Sequence, residues 1–262
     1  MHDPSLDRID PTATLIPNGE TLGVAELDAF AQRGLITQVY AQLKSGKEAT
    51  VFCCRAHPST NRKFLAAKVY RMHAAQGYRR SGPYFEGRER TMKARTIRAI
   101  ERGTAFGHRA MTGAWTAAEY DALKRLSGVG ADVPRPIAQG DAALLMEYVG
   151  NGAGPAPHLH GVDLDTTDAE RLLEQLVSAI ETMLSVHLVH GDLSPHNILV
   201  WKDRPWIIDL PQAIDVRFNR SAFQLLSRDV ENVCTFFAAS GVQSDPAKIA
   251  HDLWTRYRRA EI

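Results

Sequence analysis

Three residues in the second half of the chain have types and spacing suited to phosphoryl transfer. In His190–Val200, HGDLSPHNILV, Asp192 precedes Asn197 by five residues in a short turn between apolar runs. A carboxylate beside an attacking hydroxyl can position it and take its proton, and an amide oxygen can hold a magnesium ion on the phosphates. Further on, the apolar run Trp206-Ile207-Ile208 ends in Asp209. That residue offers a carboxylate ligand to the same hard, oxygen-seeking cation.

These residues need elements to hold them. Residues 1–20, with three prolines, read as a flexible tail. Val24–Arg33 reads as a helix ended by Gly34. Leu35–Lys44, Thr50–Arg55 and Phe64–Tyr70 read as an antiparallel meander, with SGKEA as a tight turn between the first two strands and Lys68 among apolar neighbours in the third. Thr116–Ser127 reads as a helix, with Thr116 and Glu119 in capping-box spacing. Val133–Gln139 and Ala143–Tyr148 extend the sheet, and GNGAGPAPHLHG reads as a linker.

Beyond the linker the pattern turns helical. Thr166 or Thr167 can cap a helix whose Leu172, Leu173, Leu176, Val177, Ile180, Met183 and Leu184 form an apolar stripe. Two strands around Asp192 and Asp209 follow, then a helix over Arg228–Ala239 and another opened by Asp245-Pro246. The expected class is α+β in two lobes. Residues 21–150 form an N-lobe with an antiparallel sheet plus helix, and 151–262 form a reduced, mostly helical C-lobe.

Residues 71–112 carry ten basic side chains, among them Arg71, Arg95, Arg98 and Arg102, with a helix expected over Arg88–Glu101. They read as a basic flexible insertion, either a solvated charged surface or a docking segment for a ribosomal or RNA partner. Elsewhere the charge is balanced: net charge is +1 and 23% of residues are charged, so nothing global points to nucleic acid or a membrane surface. No apolar run is long enough to span a bilayer and the N-terminus lacks a signal-peptide pattern, so a cytoplasmic, soluble protein without a membrane partner is expected. Cys53, Cys54 and Cys234 lack metal-ligand spacing, and adjacent Cys53 and Cys54 should point to opposite faces of a strand. His187, His190 and His196 match no common zinc pattern, and His190 reads as a hydrogen-bonding residue of the turn.

Each piece alone has a plain explanation. Lys68 could snorkel at a sheet edge, and Glu119 could only reach back to Thr116. The order is more informative. Glycine turn, strand lysine, helix glutamate, linker, Asp192/Asn197 and Asp209 succeed one another as the parts of a two-lobed protein-kinase-like fold do. In that order Ser45, Gly46 and Lys47 lie over the phosphates, Lys68 binds them with Glu119 as its partner, and Asn197 and Asp209 hold the metal.

The chain resembles the RIO family of atypical protein kinases over roughly residues 35–240. The residues that carry the likeness are SGKEATVF (Ser45–Phe52), WTAAEYDALKRL (Trp115–Leu126), PAPHL (Pro155–Leu159), HGDLSPHNILV and IIDLPQAID (Ile207–Asp215). The resemblance implies Lys68 and Glu119 as the ion pair, Asp192 as catalytic base, and Asn197 and Asp209 as metal ligands, with Glu147 and Val149 completing the nucleotide contacts. It further implies ATP and Mg2+ as cofactors, Mn2+ being the alternative ion, and Asp209 as a catalytic acceptor forming an aspartyl-phosphate. Gly191 stands where most protein kinases have arginine, so no cation beside Asp192 is expected to read a phosphorylated activation loop. Some twenty residues separate Asp209 from the Arg228 helix, too few for an activation segment. Within that family DLPQ departs from the DVSQ form typical of one subgroup, and the 44 residues before SGKEA are too few for the winged helix of another, so a minimal domain nearest the subgroup without a winged helix is expected.

The reading is an ATP-dependent serine/threonine kinase or ATPase acting on protein hydroxyls or on itself, its protein substrate unassigned. Two alternatives stand beside it: a small-molecule phosphotransferase of the aminoglycoside or choline kinase kind, and a nucleotide-gated binding protein.

Overall fold

The computed structural model describes residues 14–15, 24–71 and 92–262. Contacts divide these into two units. The first holds the described residues up to Arg71, then Met92–Tyr120 and Pro134–Ala156; the second holds Asp121–Val133 and Pro157–Ile262. Most of the tail, and residues 72–91 of the basic insertion, lie outside the described residues.

The first unit is an antiparallel sheet with helices. Its strands are β1 (Thr14–Leu15), β2 (Ile36–Ser45), β3 (Ala49–Ala56), β4 (Phe64–Tyr70), β5 (Pro136–Gln139) and β6 (Ala143–Glu147), in the order β1-β2-β3-β4-β6-β5. The meander pairs β3 with β4 from Ala49 opposite Tyr70 to Arg55 opposite Phe64, and β4 is buried along its whole length. Val39, Phe52, Cys54, Leu65, Ala67, Val69 and Leu145 form one buried cluster. Helix α1 (Ala25–Gln32) covers it with Leu27 and Phe30 and ends at Gly34, whose φ of +64° suits glycine. Cys53 joins Ala41 and Phe64 in a separate cluster, so the adjacent cysteines do occupy opposite faces. Burial pushes the Cys53 thiol up to about 12 and, with the charge of Cys53 adding to it, pushes Cys54 higher still; both are inert core residues. β5 starts at Pro136 rather than Val133 because a proline cannot donate to the ladder and is tolerated at the start of an edge strand.

The helices within and after the insertion differ from expectation. The helix expected over Arg88–Glu101 appears as α2 (Ala94–Glu101), with Lys93, Arg95, Arg98 and Arg102 exposed; its earlier part lies outside the described residues. The next helix, α3 (Ala105–Gly128), begins eleven residues before Thr116. Its cap is Thr104, whose Oγ1 accepts the Gly107 N–H at 3.0 Å. Thr116 is therefore no cap: its hydroxyl donates to the Thr112 carbonyl at 3.0 Å in mid-helix. At Gly107 a Cβ would meet the Ala99 carbonyl at 2.2 Å. Glycine lets α2 and α3 touch through their backbones.

The second unit is mostly helical. α4 (Thr166–Ser185) buries Leu172, Leu173, Leu176, Ile180, Met183 and Leu184, as its stripe predicts. Its cap is Asp165, which accepts the Asp168 N–H at 2.8 Å, rather than Thr166 or Thr167. Thr166 instead donates to the Ser240 carbonyl. α5 (Ala222–Ala238) starts six residues before Arg228, leaving an even shorter segment after Asp209. α6 (Pro246–Arg258) opens with the expected Asp245 cap, which accepts the Lys248 N–H. Three short pairs complete the structure: β7 (Gly150–Asn151) with β8 (Gly154–Pro155) in the first unit, and β9 (Leu188–Val189) with β12 (Ile214–Asp215) and β10 (Ile198–Trp201) with β11 (Arg204–Ile207) in the second. Among the described residues no helix is long and apolar enough to cross a membrane.

Candidate phosphoryl-transfer site

In the first unit, Lys68 Nζ donates to both carboxylate oxygens of Glu119 at 2.8 Å, and both side chains are buried. A buried cation needs such a partner, because an uncompensated charge at this depth costs several kcal/mol. Lys68 is thus no snorkelling edge residue. Tyr70, two residues on and therefore on the same face of β4, donates its hydroxyl to Glu119 Oε2, while Lys68 Nζ stands 5.1 Å from its ring centroid. Trp115 packs edge-on against Tyr70 at 6.3 Å. The sequence reading missed Tyr70, although the alternation in Lys68-Val69-Tyr70 signals it.

The SGKEA turn joins β2 to β3, closed by the Gly46 N–H on the Ala49 carbonyl at 2.9 Å. Ser45 and Lys47 are exposed beside it. At the end of β6, Glu147 is committed to structure: Oε1 accepts Arg62 Nη1 at 3.0 Å and Oε2 accepts the Arg135 N–H at 3.2 Å. Val149 is buried and its carbonyl accepts the Ala156 N–H.

In the second unit, β9 leads into the turn that bears Asp192 and Asn197. Gly191 adopts φ +82°, a conformation strained for any residue with a side chain, which explains the glycine physically. Asn197 Nδ2 donates to the Asp192 carbonyl at 2.9 Å, so its other amide atom, Oδ1, is the one left as a ligand. The Ile208 N–H donates to the Asn197 carbonyl at 3.0 Å, and His190 Nε2 lies 3.0 Å from the Ile208 carbonyl. Both groups of Ile208 are therefore bound to the turn, which fixes the next residue, Asp209. Asp209 has φ +67°, a left-handed conformation that aspartate tolerates better than most residues. His190, expected to be a structural hydrogen-bonding residue, is buried in that role.

Helix α5 supplies the rest. Asp229, 1% exposed, accepts the Gly191 N–H at 2.7 Å and the Leu193 N–H at 2.9 Å. One helical turn on, Asn232 Nδ2 donates to the Leu193 carbonyl at 3.0 Å, and Arg228 donates to the Gly191 carbonyl. Burial pushes the Asp229 carboxyl up, and His190, the two N–H donors and Arg228 pull it back. The Asp192 carboxyl is also raised: burial dominates, His190 and Arg228 lower it, and Asp209 raises it. Arg228 of α5 thus lends positive charge to the turn while its side chain is bonded to the Gly191 carbonyl. The available signal for Asp229 was an acid set among the apolar positions Leu225, Leu226, Val230 and Val233.

The donor set suits a divalent ion of the magnesium class. The Asn197 amide oxygen and the Asp209 carboxylate are hard oxygen ligands on adjoining, mutually bonded segments. No group of three His, Cys, Asp or Glu side chains among the described residues has the geometry of a metal site by itself. An ion here would complete its shell with phosphate oxygens and water, as magnesium usually does.

A family model described as RIO domain matches residues 50–249. The RIO-type serine/threonine-protein kinase Rio1 of Thermoplasma acidophilum is 32% identical over 190 residues, covering 72% of this chain and 93% of that protein. The serine/threonine-protein kinase RIO1 of Caenorhabditis elegans is 31% identical over 212 residues, 80% of this chain and 39% of that one, so the chain spans about two fifths of that relative. Among solved structures, the Rio2 kinase from Chaetomium thermophilum matches with TM-score 0.66 at 20% identity, covering 92% of this chain and 72% of that one. Its ADP/Mg2+-phosphoaspartate complex matches with TM-score 0.62 at 18% identity, covering 95% and 82%. These structures share the protein-kinase-like fold.

Proposed function

The chain belongs to the RIO domain family, and from that premise we propose that it is an ATP-dependent, divalent-metal-dependent serine/threonine-protein kinase or ATPase. The observation that carries this reading is the bonded unit of Asp192, Asn197 and Asp209. Three hydrogen bonds, Asn197 to Asp192, Ile208 to Asn197 and His190 to Ile208, hold a base and two oxygen ligands in one fixed arrangement. Phosphoryl transfer needs positioning and charge stabilisation more than covalent chemistry, and such a unit supplies both.

In this reading Lys68 binds the α- and β-phosphates with Glu119 holding it, and Ser45, Gly46 and Lys47 cover them. Asn197 and Asp209 hold magnesium, with manganese as the alternative ion. A bound ion would neutralise charge on the phosphate oxygens. Asp192 orients the acceptor hydroxyl and takes its proton as the bond from the γ-phosphorus to the ADP oxygen breaks. The solved Rio2 complex named for its phosphoaspartate supports a second route, in which an Asp209 oxygen forms the new bond to phosphorus and ADP leaves. Water then releases phosphate from Asp209. The exposed cations Lys93, Arg95, Arg98 and Arg102 are proposed as a docking face for a ribosomal or RNA partner, whose footprint would be sequence-independent and salt-sensitive.

Incubation with γ-labelled ATP tests this. Label appearing as free phosphate, on serine or threonine, or as a base-labile acyl phosphate lost in Asp209→Asn supports the reading. Label transferred only to small alcohols such as choline or an aminoglycoside, with none on protein and no phosphate release, overturns it.

A further inference from the structure

Arg71, counted by sequence among the basic residues of the insertion, belongs to the glycine turn. It follows β4 directly, and its N–H donates to the Glu48 carbonyl at 2.8 Å. Its Nη2 donates to Ser45 Oγ at 2.6 Å and to Thr50 Oγ1 at 3.2 Å. Ser45 and Thr50 are the last paired residues of β2 and β3. One side chain thus ties both arms of the turn where it leaves the sheet.

The register shows from which side. Val51 pairs with Lys68 and Thr50 with Val69, so Thr50, its partner Ser45 and Val69 lie on the face opposite Lys68. Arg71, two residues after Val69, shares that face. Both bonds come from one terminal nitrogen, whose two hydrogens serve the two hydroxyl acceptors.

We propose that Arg71 is a positioning residue of the phosphate loop: bridging Ser45 and Thr50 from the face opposite Lys68, it fixes the turn over the nucleotide's phosphates without touching them. This rests on the reading of SGKEA as the phosphate loop. A turn with one glycine and a small closing bond gains from such a brace, because an unbraced loop samples conformations that nucleotide binding must then exclude.

Arg71→Met keeps the aliphatic stem and removes the donors, Arg71→Lys keeps the charge, and Ser45→Ala removes the nearer acceptor. In Arg71→Met without nucleotide, amide hydrogen exchange at Gly46–Ala49 should quicken about three- to tenfold, the worth of one or two exposed hydrogen bonds. KM for ATP should rise by a similar factor, while adenosine affinity and kcat stay within about twofold of the parent. Arg71→Lys should fall between parent and Arg71→Met. The double variant Arg71→Met/Ser45→Ala should bind ATP no worse than the weaker single variant. Unchanged exchange, equal weakening of adenosine and ATP, or additive losses in the double variant would each overturn the proposal. Exchange is read without nucleotide, so failure of the parent to bind ATP would sink the phosphate-loop reading and leave the brace to be judged by exchange alone.

Discussion

Replacing Asp229 by asparagine tests whether α5 sets the geometry of the Asp192 turn. The Asp229 carboxylate accepts two backbone N–H groups, from Gly191 and Leu193, at a position almost sealed from water. Asparagine keeps one oxygen and turns an NH2 group toward the other N–H, donor against donor. A hydrogen bond to a charged acceptor is worth about 1.5–3 kcal/mol, and an orphaned buried donor costs about 1–3 kcal/mol. These two overlap, and removing a carboxylate that burial disfavours offsets part of the loss. A net destabilisation of about 2–3 kcal/mol follows. The Gly191 amide would shift away from the new NH2 group, carrying Asp192 with it, and a misplacement of about 1 Å can cost on the order of 10²-fold in rate. Urea denaturation should show a lower midpoint with unchanged slope, and steady-state ATP turnover well below the transition should show kcat reduced about 10- to 100-fold. Parent stability together with parent kcat would refute the clamp, and lost stability with intact kcat would reduce it to a fold contact.

Lys68→Met should destabilise the protein by about 3–5 kcal/mol by leaving Glu119 buried without its cation, and Lys68→Met/Glu119→Gln should recover much of that stability but no activity, as denaturation and ATPase assays would show. Tyr70→Phe removes one donor from the Glu119 carboxylate and should cost about 1.5–3 kcal/mol in denaturation while weakening ATP binding. The Asp215 carboxyl, which burial alone would raise, is held below the usual range by Arg217 hydrogen bonds and by the charges of Arg217 and Arg125. A depressed carboxyl stabilises above its unfolded pKa of about 3.9 and loses that contribution as pH falls through the folded value. Asp215→Asn should therefore lower Tm at pH 7 by no more than the equivalent of about 1 kcal/mol, since the pairs are half-exposed, and the difference from the parent should vanish in acid.

Sequence carried the fold class well, because apolar runs bounded by turn residues and the α4 stripe are strong local signals. It failed where the deciding contact was distant. Thr116 and Glu119 have capping-box spacing, but Glu119 meets Lys68 from another element, and the true cap is Thr104, twelve residues earlier. The contact of Arg228 with the Gly191 carbonyl was illegible for the same reason, since it joins residues far apart along the chain. Asp229 and Tyr70 went unnoticed because a buried polar residue is legible only when its partner is known. Arg71 was grouped with its charged successors in sequence, whereas strand register ties it to Ser45 and Thr50.

The most direct test of the Asp192–Asn197–Asp209 unit is release of labelled γ-phosphate from ATP by the parent, Asp192→Ala and Asp209→Asn, each measured across a magnesium titration. The parent should turn over only with the metal. Asp192→Ala should lose about 10²–10⁴-fold in rate with its magnesium dependence unchanged. Asp209→Asn should lose activity and require far more magnesium for whatever remains. Parent-like rates and an unshifted magnesium midpoint in Asp209→Asn would contradict the metal assignment, and a parent-like rate in Asp192→Ala would contradict the base.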